Sequence, residues 1–274
     1  MSALRRIVPI GRVIYRGTPI RALRVLYHRL FAWFVRHRTV RHEVDGSLYE
    51  LDLGESIDLN LFLGEFERDI HTAVADLCRP GMTVADIGAN VGAHTLLFAR
   101  AVTPGGRVFA FEPTEYAFAK LQRNLALNPW ADVRAERIAL SDAAYPAALV
   151  DFRSSWPNFG PRRDGPSTVT FDTLDAWVAR NGVKTIDLLK LDVDGYEWSI
   201  LQGARAVLAT RPLILLEVTD RHYRDERNPV RLLMEIGYTI ENARSRRRYA
   251  TPEEILPDLE GIDSINTICR PPSR

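Results

Sequence analysis

The sequence predicts an α/β fold built on a mostly parallel sheet with helices on both faces. Three observations carry this. From Thr83 onward, short apolar runs alternate with segments of helical length, the pattern of strand and crossover helix. The first run leads into a glycine-bearing turn, Gly88-Ala89-Asn90-Val91-Gly92. Two late apolar stretches, Tyr238 to Ile240 and Ile265 to Cys269, suit an antiparallel edge.

Taken in order, Ile20 to Arg38 carries apolar residues at helical spacing, from Ile20 and Leu23 to Phe34 and Val35, with arginines between. Val40 to Leu53 roughly alternates apolar and polar residues around Asp45-Gly46, a pair suited to a tight hairpin turn. Glu65 to Cys78 reads as a helix ended by Arg79-Pro80-Gly81. Strands are then expected at Thr83 to Ile87, Arg107 to Phe111, Val133 to Ile138, Ile186 to Leu191 and Leu213 to Val218. Crossover helices fall at Ala93 to Ala101, Tyr116 to Leu127, Leu174 to Asn181 and Glu197 to Leu208. Between them lies an irregular loop, Asp151 to Pro166, holding Trp156 and Phe159; loops of this kind inside a compact domain are often functional.

The chain of 274 residues has a formal charge of +1, which gives no polyelectrolyte field for nucleic acid. That value is a cancellation. Residues 1 to 42 hold ten arginines and no acid, leaving 26 basic and 35 acidic residues, a net of −9, in 43 to 274. The basic arm therefore has three open readings: docking on the acidic body, a peripheral contact with an anionic membrane, or a homodimer contact. Two distant cysteines, Cys78 and Cys269, form neither a disulfide framework nor a zinc spacing, and no apolar run spans a membrane. A cytoplasmic protein is expected, with the inner membrane surface as the membrane the arm would meet. The expected division is an arm and hairpin in 1–54 and a catalytic domain in 55–274.

Gly88 allows a sharp turn and close ligand approach, and the helix start past Gly92 offers N–H groups. The spacing is GxNxG, with Asn90 where the dinucleotide fingerprint GxGxxG has glycine, which disfavours a pyrophosphate. Glu112, 24 positions after Gly88, ends the second strand, where a carboxylate accepts hydrogen bonds from vicinal ribose hydroxyls. Asp86 adds a charge suited to an ammonium or sulfonium. Together these features describe S-adenosylmethionine.

Residues 81 to 112, with Ile138 to Asp142, Val169 to Leu174, Leu188 to Glu197 and Leu213 to Glu217, resemble the FkbM-type family of S-adenosylmethionine-dependent methyltransferases. The resemblance covers roughly 55 to 220. It implies a class I methyltransferase (Rossmann-like) sheet of seven strands, and O-methylation of a small molecule or sugar. It also implies cofactor binding by Asp86, Gly88, Asn90, Gly92 and Glu112, with Ser141 and Asp142 near adenine. Phe66-Glu67 resembles the family's Tyr-Glu pair, which makes Glu67 a cofactor contact.

Methyl transfer requires an acceptor oxygen placed in line and relieved of its proton. Asp192 and Asp194, at the end of the fourth strand, share a face if the strand continues, and one or the other is expected to position the hydroxyl. His222, past the fifth strand, is the candidate proton acceptor. His94 is expected to be structural or to line the cofactor, its charged form disfavoured at a helix start. Lys190 is expected to pair with Asp192 or a neighbouring acid. A divalent cation has some support from Glu217, Asp220 and His222, yet no tight ligand motif exists, and no metal is assigned. Two rivals remain: an NAD-type oxidoreductase, disfavoured by the missing GxGxxG, and an inactive methyltransferase fold used for binding. Asn-Pro-Pro-Tyr, the mark of base N-methylation, is absent.

Overall fold

The computed structural model describes residues 29–223 and 226–272. The chain divides into two compact units, residues 1–66 with 155–164, and residues 67–154 with 165–274. The first unit thus reaches Phe66, beyond the 1–54 arm and hairpin expected from the sequence.

In the first unit, residues 29–35 are helical, with Phe31, Ala32 and Val35 buried and Leu30, Trp33 and Phe34 exposed. The remainder of the predicted arm helix, before residue 29, lies outside the described residues. Strands β1 (Thr39–Val44) and β2 (Ser47–Asp52) form the expected antiparallel hairpin. Its turn residues Asp45 and Gly46 have φ of 49° and 76°, as a type I′ turn demands. Helix α1 (Ser56–Leu63) follows. It has no clean polar stripe to announce it, because Leu59, Leu61, Phe62 and Leu63 are all buried. The irregular loop is anchored by the buried Glu55. Its Oε1 accepts from Ser155 Oγ at 3.0 Å and its Oε2 from the Trp156 N–H at 2.8 Å. Arg163 completes this junction by pairing with both Glu55 and Asp52.

The second unit opens with α2 (Arg68–Leu77), shorter than predicted because Glu67 sits at φ 32°, outside helical geometry. Then come β3 (Thr83–Ile87), α3 (Ala93–Val102), β4 (Arg107–Phe111), α4 (Glu115–Ala126) and β5 (Val133–Glu136). Short pieces follow: β6 (Ala139–Leu140) pairs with β9 (Phe171–Asp172), and β7 (Ala148–Val150) with β8 (Ser167–Val169). Helix α5 (Leu174–Arg180) leads to β10 (Leu188–Leu191). The single helix predicted over Glu197 to Leu208 is two, α6 (Glu197–Gln202) and α7 (Arg205–Ala209). The break falls at Gly203, where a Cβ would lie 2.0 Å from the Ser141 carbonyl oxygen. Beyond it lie β11 (Leu213–Thr219), a 3₁₀ turn at Asp220–Tyr223, α8 (Pro229–Glu235), β12 (Thr239–Asn242), β13 (Arg248–Tyr249), α9 (Leu256–Leu259) and β14 (Ser264–Arg270).

The main sheet runs β13-β12-β14-β11-β10-β3-β4-β5. Strands β11, β10, β3, β4 and β5 are parallel, and β14, β12 and β13 form the antiparallel edge. All seven expected strands are present, and the two-residue β13 adds an eighth. Strand alternation sends Ala85, Ile87, Phe109, Phe111, Leu189, Leu191, Ile214 and Leu216 into one core, under α5 to α8. Val84, Val108, Leu188, Leu215 and Ile268 enter the other, under α2 and α3. In the first core Trp177 meets Phe109 and Phe111 edge-on, each at 4.9 Å.

Candidate active site

The face covered by α2 and α3 is apolar until the carboxyl ends of the strands, where it becomes charged. Asp86 and Lys190 are register partners on β3 and β10. Two residues farther along the same face come Asp192, just past β10, and Glu217 on β11, whose register partner on β14 is Asn266. The helices covering this face begin nearby and contribute Glu67, before α2, and His94, in the first turn of α3.

The contacts are dense. Lys190 Nζ lies 3.0 Å from Asp192 Oδ2 and 3.5 Å from Asp86 Oδ1, and donates to the Gly88 carbonyl at 3.1 Å. Thr95 Oγ1 donates to Asp86 Oδ2 at 2.6 Å. Asp86 is therefore wholly buried and engaged from within the fold. His94 Nε2 faces Glu67 Oε2 at 3.4 Å. Asn266 Nδ2 donates to Glu67 Oε2 at 3.5 Å.

Each ionisation follows from this crowding. Burial, then the charge of Asp192, pushes the Glu67 carboxyl up to about 8. The same two causes push Glu217 up to about 10, so it keeps its proton and shares it with Asp192. Burial also raises Asp192, but the Lys190 ammonium and hydrogen bonds from Glu217 and Lys190 outweigh it and hold Asp192 below the ordinary value. Burial, then Lys190, drives His94 down to about 3, leaving a neutral imidazole. Lys190 is raised despite its burial, because Asp192, Asp86 and Glu67 surround it.

The glycine turn lies beside this cluster. Gly88 has φ 83°, and a Cβ there would lie 1.8 Å from the Asp192 carbonyl oxygen, so the turn and the end of β10 touch through backbone. Gly92, also at positive φ, caps α3. The buried Glu112 accepts from the Asn90 N–H at 3.0 Å through Oε2, and from Thr114 N and Oγ1 at 2.9 and 2.5 Å through Oε1. A carboxylate has about four acceptor sites, so Glu112 retains capacity for a hydroxyl. Asn90 Oδ1 is buried without a hydrogen-bond partner among the described residues. An accepting carboxylate and an unsatisfied amide oxygen beside a backbone cradle fit S-adenosylmethionine. Ser141 and Asp142 follow β6 and group with Ser199 and Tyr145: Ser141 Oγ is 3.1 Å from Ser199 Oγ, and Tyr145 donates to Asp142 at 2.8 Å.

Two expected reacting residues lie elsewhere. Strand β10 stops at Leu191, so Asp194 does not share a strand face with Asp192; it occupies an exposed turn with φ 55°. His222 is buried, accepting from the Thr219 N–H at 3.3 Å through Nδ1 and donating through Nε2 to Glu197 Oε2 at 2.8 Å. Both ring nitrogens are thus engaged within the fold. Glu197, buried as well, accepts from the Val193 N–H at 2.9 Å, so the pair braces the turn after Asp192. From the sequence, His94 is expected only to be structural or to line the cofactor, and Glu67 and Glu217 stand apart from it; the signal was the shared phase of Asp86, Lys190, Asp192 and Glu217.

No helix among the described residues is long and apolar enough to cross a membrane. The Methyltransferase FkbM domain family matches residues 86–249. The 2-O-methyltransferase NoeI of Sinorhizobium fredii is 26% identical over 190 residues, 61% of this chain and 76% of NoeI. The 31-O-demethyl-FK506 methyltransferase FkbM of Streptomyces tacrolimicus is 30% identical over 198 residues, 59% of this chain and 74% of its own. A crystal structure of Methyltransferase FkbM from Methylobacillus flagellatus covers 97% of this chain and 60% of its own, at 13% identity and a TM-score of 0.47. The family match spans more than half of the sequence and implies S-adenosylmethionine as methyl donor: the chain belongs to the FkbM methyltransferase family.

Proposed function

We propose that the protein transfers a methyl group from S-adenosylmethionine to a hydroxyl of a small molecule, in the class of sugars, glycolipids and natural products. The observation that carries this is the carboxylate pair Asp192 and Glu217 beside the glycine turn, with Lys190 keeping Asp192 ionised. When bound, the cofactor supplies a methyl carbon whose bond to a cationic sulfur breaks toward sulfur. Asn90 and Glu112 would hold its nucleoside end, beside the Gly88 turn. Asp192 accepts a hydrogen bond from the acceptor hydroxyl and then its proton, which orients an oxygen lone pair for attack. Lys190 fixes Asp192, while His222 and Glu197 brace the turn that follows. Oxygen as the acceptor atom is supported by the named relatives, one a 2-O-methyltransferase and one acting on a 31-O-demethyl compound.

The test is incubation with methyl-labelled cofactor and a panel of sugar, glycolipid and macrolide acceptors. Label should appear as an ether methyl. Label on nitrogen, or thermal stabilisation by NAD with none by S-adenosylhomocysteine, would sink the reading.

A further inference from the structure

Glu67, His94 and Asp192 each offer a donor atom, and these atoms lie within 4.8 Å of one another. They come from three separate places, the starts of α2 and α3 and the end of β10, and converge on one point above the sheet. The 3.4 Å from His94 Nε2 to Glu67 Oε2 is close to the roughly 3.4 Å between two donors that each lie about 2.1 Å from a tetrahedral ion. The charge balance favours a cation too. Asp86 and Asp192 face the ammonium of Lys190, which leaves one negative charge, and Lys190 sits on their side of the cluster. Outer contacts of the kind that orient ligands are present: Asn266 on Glu67, and Glu217 and Lys190 on Asp192.

We propose that Glu67, His94 and Asp192 bind one divalent transition-metal cation, with an open coordination position toward the acceptor. This ligand set differs from the Glu217, Asp220 and His222 grouping that lent a cation some support in the sequence. One imidazole with two carboxylates suits Mn²⁺, Fe²⁺, Co²⁺ or Zn²⁺ better than Ca²⁺ or Mg²⁺, which prefer oxygen alone. That the open position receives a hydroxyl rests on the function proposed above; the binding of the ion does not.

The experiment titrates full-length protein, stripped with EDTA and saturated with S-adenosylhomocysteine, with MnCl₂ and separately with ZnCl₂. Heat is followed by calorimetry, and free Mn²⁺ by its electron paramagnetic resonance signal. One equivalent should bind, and His94→Ala and Glu67→Gln should each weaken binding at least tenfold while still unfolding cooperatively. If His94→Ala does not fold, the isosteric Glu67→Gln decides. Absence of binding by both ions, or undiminished binding in the folded variants, overturns the site. Stabilisation by S-adenosylhomocysteine, measured in parallel, is independent: its loss in the wild type with Mn²⁺ still bound would reject the methyltransferase reading and leave the metal site standing.

Discussion

Replacing Gly88 by alanine tests the claim that the turn and the end of β10 are fused through backbone. The new Cβ would stand 1.8 Å from the Asp192 carbonyl oxygen, against an ordinary C···O approach of about 3.3 Å, so the two segments must part by more than an ångström. Two hydrogen bonds cross that contact: Asp192 N–H to Ile87, and Lys190 to the Gly88 carbonyl. Losing both costs about 2 kcal/mol, and alanine at φ 83° adds about 1 to 2 kcal/mol. At roughly 2 to 4 °C per kcal/mol, Gly88→Ala should lower the melting temperature by roughly 10 °C. It should also remove the stabilisation by saturating S-adenosylhomocysteine. Gly182→Ala is the control, since Gly182 has φ 63° but nothing within 4 Å of where the new methyl group would stand; it should cost only about 1 kcal/mol. Scanning fluorimetry with and without ligand reads both. A Gly88→Ala protein that melts with the Gly182→Ala protein and still responds to the ligand refutes the reasoning.

Glu112→Gln puts an NH₂ where an oxygen now accepts from Asn90 or Thr114, and should weaken S-adenosylhomocysteine binding at least about tenfold by calorimetry. His222→Ala leaves the Glu197 carboxylate buried without its imidazole; about 3 kcal/mol of stability should be lost, read by urea unfolding, with the apparent pKa of kcat unchanged. A shifted pH profile in that variant would restore His222 as the base. In metal-free protein, Glu67 and Glu217 hold protons that the unfolded chain has released above pH 4.5, so their stabilising effect is present below that value and lost as pH rises through about 8 and about 10. His94, lowered from 6.5 to about 3, acts in the opposite sense, but only between those values. Melting temperature should therefore fall from pH 7 to pH 9.5, and Glu217→Gln should flatten that slope.

The sheet was legible because a buried parallel strand is a run of apolar, mostly branched residues, and such runs stand clear at Val84, Val108, Leu188 and Leu213. Helix ends were less so. Glu67 leaves the helix by its own φ, and Gly203 breaks one helix into two because Ser141 packs against it, a contact 62 residues distant in sequence. The residues proposed for the cofactor, Gly88, Asn90 and Glu112, occupy two consecutive strand ends, so their grouping follows from local sequence. The reacting end depends on register across four strands and on two helix starts, which no single segment encodes. Asp194 shares a face with Asp192 only if the strand continues, and it stops at Leu191; His222, read as a loop residue, lies in a buried turn.

Where the site forms on this sheet has a physical cause. On the face under α5 to α8, the strands stay apolar to their ends, with Ile87, Phe111, Leu191 and Val218 all buried in one core. On the opposite face three of these strands change character one residue earlier, at Asp86, Lys190 and Glu217. The polar switch is therefore one-sided, so one face anchors the strand ends while the other presents charge. Burying an ion pair costs several kcal/mol of desolvation, and a face anchored only by such pairs would gain little. Here the opposite core supplies the anchoring, which lets Asp86 and Lys190 be placed for electrostatics rather than for stability. Glu67, Asn90 and Asp194, all at positive φ, lie at the rim of that same end, where backbone strain of about 1 to 3 kcal/mol each is tolerated because neighbouring packing fixes it. A core mutation on the α5 to α8 face would then reach the site by loosening strand ends, whereas a charge removed on the α2 and α3 face acts on chemistry first.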